Sequence, residues 1–180
     1  MLKSHFHRKI AQMGQAFDYD VSYLHELLDA STPAFLKFAL FQPMSRHRED
    51  VPVTAWFAAK LAATMSEDCG PCSQLMVDMA IRAGVAPAIV AALARGDLTS
   101  ADADASFGFR YGHAVAANAP DANALAAQAL AQYGRRGVAS LAMAVAAARV
   151  YPALKRGLGY GAACQRLVVG EETIAVKRAA

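Results

Sequence analysis

Apolar residues recur at helical spacing along most of the chain. Val21, Leu24, Leu27 and Leu28 line one face of a short amphipathic segment. Thr32-Pro33 reads as an N-cap followed by the first position of a second helix, and Pro43 limits how far that helix continues. Residues Met44–Asp50 (MSRHRED) form a charged connection. A third helix is expected to open near Pro52, to bury Trp56, Leu61 and Met65, and to end before Ser66-Glu67-Asp68. The fourth takes Cys69-Gly70-Pro71-Cys72 as its first turn, with Asp68 placed to cap it and Gly84 to end it. A short fifth helix runs from Pro87 to about Arg95 and is closed by Gly96. Beyond the Asp/Ala-rich stretch Thr99–Ser106, three Ala-rich helices are expected at Phe109–Asn118, Asp121–Tyr133 and Gly137–Val150. Pro152 then kinks or restarts the chain.

The two ends follow other patterns. Residues 1–17 are polar, carry His5, His7, Arg8 and Lys9, and show only weak periodicity, so they read as a mobile arm or a short oligomer contact. At the other end, Leu167-Val168-Val169 and Thr173-Ile174-Ala175-Val176 flank Gly170-Glu171-Glu172 as two short strands around a turn. No repeat or low-complexity linker divides the chain, so a single domain over residues 1–180 is expected.

Composition narrows the fold class. Hydrophobic residues make up 56% and charged residues 18%, which excludes disorder as the main state. The chain holds 42 alanines, the best helix former, and this bias predicts an all-α fold. Its net charge of +3 comes from scattered Lys and Arg without a basic stripe, which argues against a nucleic-acid partner. The apolar run Val138–Ala148 is interrupted by Arg149 and falls short of the roughly 20 residues that cross a bilayer. The N-terminus shows no continuous apolar signal core. A cytoplasmic protein with no membrane contact is the expectation.

Three cysteines do not make a disulfide framework, and the close pair Cys69 and Cys72 points to redox or metal chemistry. Cysteines at i and i+3 on a helix share a face and can close a disulfide across the first turn. There, free backbone N–H groups and the helix dipole favour a thiolate. Cys69, nearest the helix end, is then the more acidic thiol and Cys72 the resolving one. Glu67 and Asp68 oppose the thiolate by repulsion, yet either could shuttle a proton. Other readings of the pair compete. Thioredoxin carries the same tetrapeptide after a strand in an alternating β/α chain, whereas Thr54–Thr64 here is helical in pattern. A zinc half-site would need two more ligands, while Cys164 and His113 each stand alone. Two small buried thiols packing a helix form the third alternative, with Gly-Pro an unfavourable choice between them. No metal or cofactor is expected.

The run Ala55–Asp97 resembles the core of the carboxymuconolactone decarboxylase family in its alkylhydroperoxidase D-like (AhpD-like) branch. The residues that carry the likeness are a helix, the Cys69/Cys72 pair opening the next, then Ile81-Arg82-Ala83-Gly84-Val85 and a short helix ending at Arg95-Gly96-Asp97. The resemblance covers about two-thirds of the chain, through Leu154–Leu158. It implies an all-α helical bundle in a symmetric homo-oligomer, trimer or hexamer, that reduces peroxides or partner disulfides. It also implies a proton relay of an upstream Glu and a His four residues after the second Cys. Phe57 and Met76 stand at those positions here, and neither side chain moves a proton. Glu67, Asp68 and His113, the last beside Tyr111, are the candidate substitutes. Thiol–disulfide exchange tolerates this loss better than peroxide reduction, in which a placed acid is worth roughly 10²- to 10⁴-fold.

Three functions follow from these residues. The first is a thiol–disulfide oxidoreductase or alkylhydroperoxidase-like antioxidant protein acting on a peroxide or a partner protein disulfide. The second is a non-catalytic protein of the same fold that binds a small hydrophobic ligand or a protein. The third is a decarboxylase-like acid/base enzyme. Ala-rich helices such as Leu125–Ala131 and Leu141–Ala148 permit close helix approach and are expected to meet another subunit.

Overall fold

The structure is a computed structural model that describes residues 2–161 and 166–176. It is all-α with one small C-terminal hairpin, as the alanine bias predicts. The helices are α1 (Leu2–Phe17), α2 (Ser22–Ala30), α3 (Thr32–Ala39), α4 (Phe41–Arg46), α5 (Val53–Ser66), α6 (Gly70–Arg82), α7 (Pro87–Arg95), α8 (Ala103–Ala117) and α9 (Ala122–Gly157). Strands β1 (Arg166–Val169) and β2 (Glu172–Ala175) follow.

Helix α5 is the axis of the main core. It is apolar on every side and buries each residue from Ala55 to Thr64, as expected of a helix surrounded by others. Its closest neighbour is α8, and the closeness depends on two glycines. A Cβ at Gly108 would lie 2.1 Å from the Ala55 carbonyl oxygen, and one at Gly112 would lie 2.3 Å from that of Ala59. Glycine facing alanine at i, i+4 spacing thus brings two backbones into direct contact. Helix α9 and the hairpin close the same core, with Leu125, Leu141, Val145, Leu167, Val169 and Ile174 buried.

A second cluster lies under the N-terminal helices. Ile10, Tyr19, Tyr23, Leu24, Leu28 and Phe35 are buried there, with Phe6, Phe17, Phe38, Leu154 and Leu158 packed around them. Residues 2–17 are therefore a helix with its own buried face, in place of the arm that weak periodicity suggested. The apolar positions Phe6, Ile10, Met13 and Phe17 follow helical spacing, but intervening polar residues dilute the pattern.

Several boundaries shift for local reasons. Ser31, rather than Thr32, caps α3, its hydroxyl accepting from the Ala34 N–H at 3.2 Å. The supposed connection Met44–Asp50 begins inside a helix, since α4 takes in its residues 44–46, with Pro43 tolerated in the first turn. Asp102 caps α8 six residues earlier than expected, accepting from the Ala105 N–H at 2.7 Å. The two helices expected at Asp121–Tyr133 and Gly137–Val150 are both present as the two parts of α9, separated by non-helical backbone at Gly134 (φ 68°, ψ −175°), and the second continues through Pro152 to Gly157. The run around Val138 is thus part of a helix long and apolar enough to cross a membrane by length and composition. Of its most apolar window, 44% is buried inside the protein. The apolar faces of Leu125–Ala131 and Leu141–Ala148 are used within the chain, where Leu125, Ala129, Leu141, Ala144, Val145 and Ala148 are buried.

The hairpin pairs Val169 with Glu172 across a two-residue loop, with Gly170 at φ 61° in its first position, where such turns favour glycine. It is fastened to α6 by Gln74, whose side-chain amide donates to the Val168 carbonyl (2.9 Å) and accepts from the Val168 N–H (2.8 Å).

Candidate functional site

The sequence between α5 and α6 decides how the cysteines meet. After Ser66 the chain turns through Glu67 and through Asp68, which adopts a left-handed φ of 50°. Cys69 then takes an extended conformation as the N-cap of α6, so Asp68 does not cap this helix and lies one residue outside it. Pro71 sits in the first turn, where its missing N–H leaves no bond unmade. This geometry brings the Cys69 and Cys72 Cα atoms to 5.3 Å, and the two sulfurs are joined as a disulfide across the first turn.

Glu67 is clamped by α9. Arg149 Nε donates to its Oε1 at 2.6 Å, Arg156 Nη2 pairs with Oε2, and Arg156 Nη1 donates to the Glu67 carbonyl at 2.7 Å. Burial raises the Glu67 carboxyl, but the two guanidinium groups outweigh it and hold the pKa below the usual value. Glu67 is therefore ionised at neutral pH and fixes the loop rather than supplying a proton. His113 is exposed on α8, with its Nδ1 3.4 Å from the Ser66 hydroxyl at the end of α5. Asp68 is exposed. Met76 packs against the main core, Phe57 is buried within it, and Tyr111 is buried there too. Cys164 lies outside the described residues.

The disulfide is approached by residues without any sequence motif. The Tyr19 hydroxyl lies 4.0 Å from Cys72 Sγ, held there by the turn between α1 and α2. The Tyr19 N–H donates to the Gly14 carbonyl at 2.9 Å, and a Cβ on Gly14 would stand 3.0 Å from both the Tyr19 carbonyl oxygen and Val21, so glycine lets the turn fold back on its helix. Tyr23 sits beside it, with ring centroids 6.4 Å apart and edge-to-face. Lys155 reaches in from α9, fully buried, with Nζ 4.7 Å from the Tyr19 ring centroid and 5.0 Å from that of Tyr23. Burial lowers the Lys155 pKa, with Asp20 opposing. Burial pushes Tyr19 up to about 12, partly offset by the hydrogen bond from Tyr23. Tyr23 is raised further by its own burial.

Both cysteines are only 4% exposed. A surface depression of about 370 Å³ lies between Gln15–Asp18 and the α6 residues Asp78, Ile81 and Arg82, at the opposite end of α6 from the sulfurs. Among the described residues no third His, Cys, Asp or Glu joins the pair in a group that could hold a metal ion. The strand before a Cys pair that thioredoxin requires is replaced here by α5. Compared with known protein families, curated proteins and solved structures, the chain matches none.

Proposed function

We propose that this protein is a thiol–disulfide oxidoreductase that cycles Cys69 and Cys72 between disulfide and dithiol, in the manner of the AhpD-like proteins it resembles. The observation that carries the reading is the disulfide closed across the first turn of α6, where unpaired backbone N–H groups favour a thiolate at the N-cap. A partner protein disulfide suits this site better than a peroxide. Phe57 and Met76 offer no proton to a leaving alkoxide, and Glu67 is held ionised by two arginines. Action in the cytoplasm as a homo-oligomer belongs to the same proposal, and light scattering at micromolar concentration tests the assembly.

The decisive experiment follows electrons through the pair. Purified protein with a dithiol donor is expected to reduce a disulfide substrate, and Cys69→Ser and Cys72→Ser should each abolish turnover. Equal rates in wild type and both variants would end this reading.

One observation favours a second reading, in which the disulfide is a crosslink in a non-catalytic binding protein: both cysteines are buried. That reading requires the disulfide to resist dithiothreitol in the folded state, and reduction without unfolding rules it out.

A further inference from the structure

Any CxxC couple that cycles must receive charge on the sulfur that leaves. Cys69 is the N-cap, next to the free N–H groups of the first turn, whereas Cys72 is in the third helical position, with the Tyr19 hydroxyl 4.0 Å from its sulfur. The structure supplies Cys72 with a separate donor, the Tyr19 hydroxyl.

Resting on the oxidoreductase reading above, we propose that Tyr19 is a catalytic residue whose hydroxyl donates to the thiolate leaving at Cys72, with Tyr23 and Lys155 as its positioning residues. In the step, a thiolate of the dithiol donor attacks Cys69 Sγ and forms a mixed disulfide. The Cys69–Cys72 bond breaks and its electron pair passes to Cys72 Sγ, which takes the Tyr19 O–H as its hydrogen bond. The donor's second thiolate then attacks the donor sulfur of the mixed disulfide and releases Cys69. The donor leaves as a disulfide and the protein as a dithiol. Tyr19 keeps its proton throughout, because burial holds it far less acidic than a thiol.

Three further features fit the role. Tyr23 packs edge-to-face on the Tyr19 ring and draws the Tyr19 pKa down, which polarises the O–H that faces Cys72. Lys155 places a buried cation over both rings, so negative charge arriving at Cys72 meets a positive one across a low-dielectric gap. Asp20 and Tyr151 also act on Tyr19, each raising its pKa.

Tyr19→Phe removes the hydroxyl and keeps the ring. Reduction of the disulfide by dithiothreitol, followed between about pH 6 and 9, should slow by roughly ten- to a hundredfold, the worth of a hydrogen bond to a charged group. The thiol pKa of Cys72, read by thiolate absorbance in a Cys69→Ser background, should rise by about one. A role limited to packing would leave that pKa alone. Tyr23→Phe, which touches neither sulfur, should move both readouts in the same direction by less, and it serves as the test if Tyr19→Phe does not fold. Faster reduction in Tyr19→Phe would show the side chain to be only a plug, and an unchanged Cys72 pKa would overturn the assignment. Wild-type protein that dithiothreitol cannot reduce would instead overturn the oxidoreductase reading beneath it.

Discussion

The two hydrophobic clusters differ in make-up. Around α5 the core is rich in alanine, with Trp56, Phe57, Phe107 and Tyr111 set among the small residues, and the α5 and α8 backbones come close enough to touch. Under α1–α3 the packing is done by Phe6, Phe17, Tyr19, Tyr23, Phe35 and Phe38, large side chains that hold helices apart and fill the space between them. Each region also buries one lysine over aromatic rings: Lys60 over Trp56 in the first, Lys155 over Tyr19 and Tyr23 in the second. Helix α6 is the seam, giving Val77 and Ala80 to one cluster and Leu75 to the other, with the disulfide at its end. A core packed by backbone contact tolerates almost no added atom. An aromatic layer can loosen locally, and that is the property needed above sulfurs that must be reached.

The difference is broken most severely at Gly112. Gly112→Ala drives a methyl into the Ala59 carbonyl and should cost about 3 kcal/mol or more, read as a lowered midpoint in guanidinium unfolding. An effect below about 1 kcal/mol would mean that the α5–α8 contact yields freely.

Lys60 tests the electrostatics of the same core. Burial lowers its pKa from 10.5 to about 8, with Arg46 adding repulsion. Below pH 8 the lysine is charged in both folded and unfolded chains and its burial cost is constant. From there to 10.5 only the unfolded chain keeps the proton, so stability rises with pH, by about 3 kcal/mol if the whole window is realised. Lys60→Met should remove that rise. Tyr19 acts with the opposite sign and draws stability down above about pH 10, so the two proteins are best compared below that point.

Leu28→Ala sharpens the comparison from the other side. Leu28 is fully buried among the N-terminal helices, and its truncation should cost about 2 kcal/mol. If α1–α3 open independently, reduction of the disulfide should accelerate roughly tenfold or more while the rest of the fold stays protected from hydrogen exchange. Uniform loss of protection would show the clusters to unfold as one.

The smallest effect is expected at Gln74→Ala, about 1 kcal/mol, confined to faster amide exchange in the hairpin.

What the sequence disclosed and what it hid divide along the same line. Alanine bias, prolines at helix starts and the hairpin's Gly170 report on local structure, and they located α5, α6, α7 and the strands. The helix beginning at the cysteines was legible because Pro71 and the i, i+3 spacing are local signals. Tyr19 and Lys155 carried no such signal. Leu154-Lys155-Arg156 reads as an ordinary basic last turn complementing the helix dipole, yet in the fold the middle residue is buried with its Nζ over the Tyr19 and Tyr23 rings. Glu67 was correctly placed beside the pair, but its two arginines come from the far end of the chain, so its role as a clamp was out of reach of any local pattern. Gly108 and Gly112 carry no local signal of their purpose, which appears only when Ala55 and Ala59 are set against them.

The bond between Gln74 and Val168 has one more consequence. In this hairpin the Val168 N–H and carbonyl point away from β2, toward where a third strand would add. A side-chain amide from α6 already occupies both, so a foreign strand finds that stretch of edge closed, and the hairpin is guarded against recruiting other chains into a growing sheet.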